Sequence, residues 1–136
     1  MTLKTEQEQM SLMVYGIPNC DTVKRARTWL TEHGLTYTFV DFKKSGVPLD
    51  RLDVWCKELG WEALLNRQGQ TWRKLDDSVK QRITDEASAR ELMTAQPSVI
   101  KRPVIEWPGK TKERITVGFT PDSSSFRAHS HASTSR

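Results

Sequence analysis

The stretch Leu12–Ile17 (LMVYGI) is a continuous apolar run that stops at Pro18-Asn19 and passes directly into Cys20 and a helical repeat. That junction constrains the fold more than any other part of the chain. A short run without polar alternation suits a strand buried on both faces. After it, Val23, Ala26 and Leu30 recur at helical spacing, and Gly34 supplies a stop signal. Tyr37–Phe42 (YTFVDF) is aromatic and β-branched and reads as a second strand. A helix between two strands predicts a βαβ unit with a right-handed crossover, so the fold class is α/β.

Farther along, Pro48–Leu59 opens on proline and sets Leu52, Trp55, Cys56 and Leu59 on one stripe, which predicts an amphipathic helix ending at Gly60. Short helical pieces are expected at Trp61–Leu65 and near Asp77–Arg82, flanking the polar loop 66–70. Thr84 is placed to cap a helix over Asp85–Ala95, which Pro97 closes. Val104–Trp107 and Ile115–Val117, joined through Pro108-Gly109-Lys110, read as a β-hairpin. The expected architecture is two strand pairs, about four strands in a mixed sheet, separated by a helical insertion over residues 48–96.

A chain of 136 residues matches the size of one domain, here expected over residues 12–121. Residues 1–11 read as a disordered extension and residues 122–136, rich in Ser and His, as a disordered tail. No apolar run approaches the ~20 residues of a membrane span, and the start of the chain lacks the apolar core of a secretory signal. A cytoplasmic location is expected. The net charge of +4 comes from dispersed pairs such as Lys24/Arg25, Lys43/Lys44 and Lys101/Arg102. Dispersal argues against a nucleic-acid footprint and suits a small anionic ligand, an acidic protein partner or merely a solvated surface. His129 and His131 sit in the tail without further ligands, so no metal is expected.

Two cysteines are too few for a disulfide framework, and each is judged by its surroundings. Cys56 lies on the apolar stripe beside Trp55, where a small hydrophobe belongs. Cys20 stands at the mouth of a helix, where free backbone N–H groups and the positive dipole end stabilise a thiolate. Lys24, about one turn on, adds to that field. A Cys filling a buried loop position is the plainer alternative. A Cys-based phosphatase would need an arginine at position 26, where Ala26 stands, and a two-cysteine redox motif would need Cys at position 23, where Val23 stands. A redox cycle here must therefore borrow its second thiol.

Three segments in order, Tyr15-Gly16-Ile17-Pro18-Asn19-Cys20-Asp21-Thr22, Ala63-Leu64-Leu65-Asn66-Arg67 and Ile100-Lys101-Arg102-Pro103-Val104, resemble the ArsC family in its arsenate reductase-related branch, over roughly Met13 to Phe119. The resemblance implies a thioredoxin-like fold, Cys20 as the nucleophile and a cis Arg102–Pro103 bond. It also implies an oxyanion cage of three arginines, of which Arg102 matches one. The second position holds Asn66, with Arg67 beside it, and the third falls near Phe119. Losing two bidentate donors weakens capture of a small tetrahedral oxyanion.

What remains is Cys20 with Asn19, Asp21, Thr22 and Lys24 around the helix start, and Asn66, Arg67, Arg102 and Pro103 as substrate or glutathione contacts. The expected activity is that of a glutathione-dependent reductase with glutathione as co-substrate. Cys20 would pass through a mixed disulfide with glutathione, which a second thiol releases. Expected partners are glutathione or a glutaredoxin-type thiol donor and a small anionic or disulfide substrate, with no direct nucleic acid, no membrane and the chain acting as a monomer. The alternative that the resemblance implies is an Spx-like regulator binding RNA polymerase, whose usual C-x-x-C pair Val23 interrupts.

Overall fold

The structure is a computed structural model and describes residues 12–108 and 114–121. The expected extension over 1–11 and tail over 122–136 lie outside the described residues. The chain divides into two units, residues 41–101 and the remainder on either side.

The first unit is built on a four-stranded mixed sheet of order β2-β1-β3-β4. Strand β1 is Met13–Gly16, β2 Thr38–Asp41, β3 Val104–Glu106 and β4 Ile115–Val117. β1 runs antiparallel to β3 with Val14 opposite Ile105 and Tyr15 opposite Val104, and β3 runs antiparallel to β4 with Ile105 opposite Thr116. The main chain extends this pairing at both ends, Trp107 N–H donating to Arg114 O at 2.7 Å and Gly118 N–H to Pro103 O at 2.9 Å. β2 is joined to β1's side by Thr38 N–H donating to Leu12 O at 3.0 Å.

Helix α1, Asp21–Glu32, connects β1 to β2 and buries Val23, Ala26 and Leu30, the stripe that the sequence marks. Its end folds back as Leu35 N–H donates to Leu30 O at 2.9 Å, with Gly34 at φ 73°, a left-handed conformation that favours glycine. Leu30 joins Leu12, Val14, Ile105 and Trp107 in one cluster, with Trp29, Leu35, Tyr37, Phe39 and Phe119 packed around it. Burying side chains of this size stabilises by about 1.5–3 kcal/mol each. Inside this core Trp107 Nε1 donates to Thr116 Oγ1 at 2.9 Å, so the buried indole and hydroxyl satisfy each other.

The second unit is helical. It contains α2 (Phe42–Ser45), α3 (Leu49–Leu59), α4 (Trp61–Leu64), α5 (Gln70–Arg73), α6 (Asp77–Gln81), α7 (Glu86–Ala95) and a 3₁₀ turn, Pro97–Val99. α3 packs on α7 and α4. Leu52, Trp55 and Cys56 of α3 and Ala89, Leu92 and Met93 of α7 are buried, and Phe42 meets Trp55 with ring centroids 6.3 Å apart. Asp53 ties the two helices at the surface, 3.0 Å from Arg90 and 3.2 Å from Lys57.

Several boundaries differ from the sequence-based expectation. Phe42 leaves β2 and enters α2, because the Asp41 carboxylate accepts from Lys43 N–H at 2.9 Å and caps a helical turn there. Leu65 leaves α4 to form an antiparallel bridge with Ile100. The expected loop 66–70 ends one residue early, because Gln70 begins α5. The cap of α7 is Asp85 rather than Thr84. Asp85 Oδ1 accepts from Ser88 N–H at 2.9 Å while Ser88 Oγ accepts from Asp85 N–H at 3.2 Å, a reciprocal capping box.

Candidate active site

β1 ends at Gly16 and the chain turns through Ile17-Pro18-Asn19 to reach Cys20, the N-cap of α1, in an extended conformation (φ −139°, ψ 125°). Pro18 and Asn19 are exposed, Cys20 is half-buried and Asp21 is exposed in the first turn. No side-chain cap hydrogen bond of ordinary geometry closes this turn. The N–H groups of Val23 and Thr22 instead face the sulfur closely enough to favour its anionic form.

Partial burial pushes the Cys20 thiol up, and it is outweighed. The Val23 N–H, the Arg102 side chain through both a hydrogen bond and its charge, and the Thr22 N–H together hold the thiol below its ordinary value of 9.0. Backbone donors at a helix start and one guanidinium thus supply the field. Lys24 supplies its main chain, donating N–H to Cys20 O at 2.9 Å to form the first turn, with its side chain exposed. The cation acting on the sulfur is Arg102.

Arg102 is half-buried, with its Nε among the buried side-chain atoms, and the Arg102–Pro103 peptide is cis. Pro103 is buried and leads into β3, whose pairing with β1 runs from the Tyr15–Val104 register upward. The sheet therefore carries both halves of the site, β1 delivering Cys20 and β3 delivering Arg102.

Cys56 has the opposite character. Burial raises its thiol most, Glu86 and Asp53 raise it further, and Arg90 opposes them. It is 3% exposed inside the helical unit, a core residue held in its neutral form.

Asn66 and Arg67 belong to the helical unit. Asn66 N–H donates to Val99 O at 2.7 Å, and its side-chain Oδ1 accepts from Gln68 N–H at 3.2 Å, fixing a tight turn. Gly69 allows that turn, since a Cβ there would lie 2.8 Å from Asn66 Nδ2. Asn66 is thus engaged with its own loop. Arg67 is exposed, and its guanidinium carbon lies 5.8 Å from the ring centroids of both Trp61 and Trp72. These two tryptophans were missed in the sequence reading, although their placement on either side of Arg67 in the chain is a usable signal for a cation–π cradle.

Among the described residues no group of three or more His, Cys, Asp or Glu side chains is placed to hold a metal ion, and no helix is long and apolar enough to cross a membrane.

Residues 15–125 match the family model of the ArsC family. The chain is similar to the solved YFFB protein, at 51% identity and TM-score 0.73, covering 82% of this chain and 94% of that one. It is also similar to an arsenate reductase (ArsC) related protein from Brucella melitensis, at 52% identity and TM-score 0.64, covering 82% and 89%. A more distant similarity, 28% over 110 residues, is to the global transcriptional regulator Spx of Streptococcus mutans, covering 77% of this chain and 74% of the regulator.

Proposed function

The chain belongs to the ArsC family, in its arsenate reductase-related YffB/Spx-like branch with a thioredoxin-like fold, and from that premise we propose that it is a one-cysteine reductase that uses glutathione as its thiol donor. The observation that carries this reading is the pairing of Cys20 with Arg102: a half-buried thiol held below its ordinary value at a helix start, beside a guanidinium. The other cysteine, Cys56, is buried and held neutral, and position 23 is Val23. The resolving thiol then comes from solution.

The proposed cycle starts with a disulfide between glutathione and a substrate thiol. The Cys20 thiolate attacks the glutathione sulfur, the sulfur–sulfur bond to the substrate breaks, and the substrate leaves as a thiolate that takes a proton from water. A second glutathione, as its thiolate, attacks the Cys20–glutathione disulfide. Glutathione disulfide leaves and the Cys20 thiolate returns. The balance is one glutathione consumed as reductant and one substrate thiol released per turn. Val23 and Thr22 N–H groups and Arg102 stabilise Cys20 as nucleophile and as leaving group, because a low-pKa thiolate departs readily. Arg102 also orients a carboxylate of glutathione. Asn19, Asp21, Thr22 and Pro103 shape the bound tripeptide's path along the helix start, and Lys24 offers a further cation. With a single matched arginine, reduction of arsenate is secondary to disulfide chemistry. The cycle needs a reduced glutathione pool, as in the cytoplasm.

The test is turnover of a glutathionylated peptide with excess glutathione, with mass spectrometry of the trapped enzyme. Expected are a glutathione adduct on Cys20 alone and loss of turnover in Cys20→Ser. Turnover retained in Cys20→Ser, or absence of any adduct, would refute the reading. The likeness to Spx regulators favours one second reading, a non-catalytic regulator, in which Cys20→Ser leaves partner binding intact.

A further inference from the structure

Gly16, the buried last residue of β1, carries no role in the cycle above, yet it sits where the parts of the site converge. A Cβ at this position would lie 3.1 Å from Val23 Cγ2, 3.8 Å from Arg102 Cβ and 3.8 Å from Pro103 Cα. Two of these residues are the ones whose N–H and guanidinium face the Cys20 sulfur. The contact with Val23 is the tight one. Val23 is fully buried, and a β-branched residue in a helix holds one χ1 rotamer, so its methyl has nowhere to turn.

We propose that Gly16 is a positioning residue for the Cys20 nucleophile: having no side chain, it lets the first turn of α1 and the Arg102–Pro103 segment close on the end of β1, which sets the Val23 N–H and the Arg102 guanidinium against the sulfur. A methyl at position 16 relieves its contact by pushing the first turn of α1 outward, with Arg102 Cβ and Pro103 in ordinary contact on the other side leaving it no alternative room. The stabilisation of a thiolate by N–H donors and one cation falls off steeply with such displacement. The proposal rests on the reading of Cys20 as the nucleophile.

The measurement is the midpoint of the pH dependence of Cys20 alkylation in the folded protein, with Cys56→Ala as background. Gly16→Ala is expected to raise the midpoint by about half a pH unit or more. Gly16→Ala combined with Val23→Ala, which removes the opposing methyl, is expected to return it to the value of Val23→Ala alone. Ile105→Val, which trims the sheet core, is expected to lower the melting temperature and leave the midpoint in place, separating positioning from general loosening. A folded Gly16→Ala protein with an unmoved midpoint overturns the proposal, as does a raised midpoint that Val23→Ala fails to reverse. Should Gly16→Ala alone not fold, the double variant decides: a midpoint equal to that of Val23→Ala supports the proposal and a higher one overturns it. A wild-type midpoint at the ordinary thiol value would instead refute the nucleophile reading itself.

Discussion

Replacing Arg102 by Met keeps an apolar stem in the half-buried slot and removes the charge beside Cys20. An opposite charge within hydrogen-bonding reach shifts a titrating group by about 1–3 units. Because Cys20 is half-exposed, solvent screening puts the effect at the low end, about one unit upward. Below both midpoints that leaves roughly tenfold less thiolate. A more basic thiolate is also a better nucleophile, by roughly threefold per unit for a Brønsted slope of about 0.4–0.5. The two effects leave alkylation by iodoacetamide below both midpoints slower by about three- to fourfold. Above both midpoints only nucleophilicity remains, and the variant is faster by roughly threefold. The rate–pH curves of the two proteins therefore cross. Superimposed curves, or a variant slower by one constant factor at every pH, would refute the assignment of Arg102 as the cation that stabilises the thiolate.

Since the Cys20 thiol is held below its ordinary value in the fold, its contribution to stability is fully present above the unfolded thiol value and is lost as pH falls through the folded one. Urea unfolding in reductant should thus show wild type gaining on Cys20→Ser as pH rises between those two values, with Cys56 common to both and cancelling. A gap that shrinks with rising pH contradicts the direction of the shift. In the native protein, alkylating reagents should label Cys20 and leave Cys56 unmodified until the chain unfolds, as peptide mapping can show. Trp61→Leu and Trp72→Leu each remove one wall beside Arg67, a contact of about 0.5–1 kcal/mol at an exposed site. The expected result is an unfolding free energy in urea lowered by about that amount in each variant, and unchanged stability in both would refute the contact.

The position of Cys20 was legible because two periodicities meet there: an unbroken apolar run must end before a helical stripe begins, and only Pro18 and Asn19 lie between them. The same reasoning recovered the apolar faces of α1 and α3. The cap of α7 was not legible, because Thr84 and Asp85 are both good caps, Ser88 Oγ accepts from the N–H of each, and only the Asp85 carboxylate accepts from the Ser88 N–H. The turn that carries Phe42 into α2 depends likewise on one carboxylate, Asp41. The importance of Arg102 came from resemblance rather than pattern, since nothing local to it indicates a distant thiol. Gly16 was illegible as a functional position, because the atoms that would crowd a side chain there come from α1 and from the segment before β3.

Cys20 and Arg102 lie at opposite ends of the folded sequence, and the β1–β3 register is what brings their segments together. The share of Cys20's reactivity that Arg102 supplies is thus a long-range property that appears only once that pairing has formed. An unfolded chain carries an ordinary thiol that reacts slowly with disulfides in its surroundings. The full reactivity is thus withheld until the site has folded, and before then the ordinary thiol limits premature mixed disulfides.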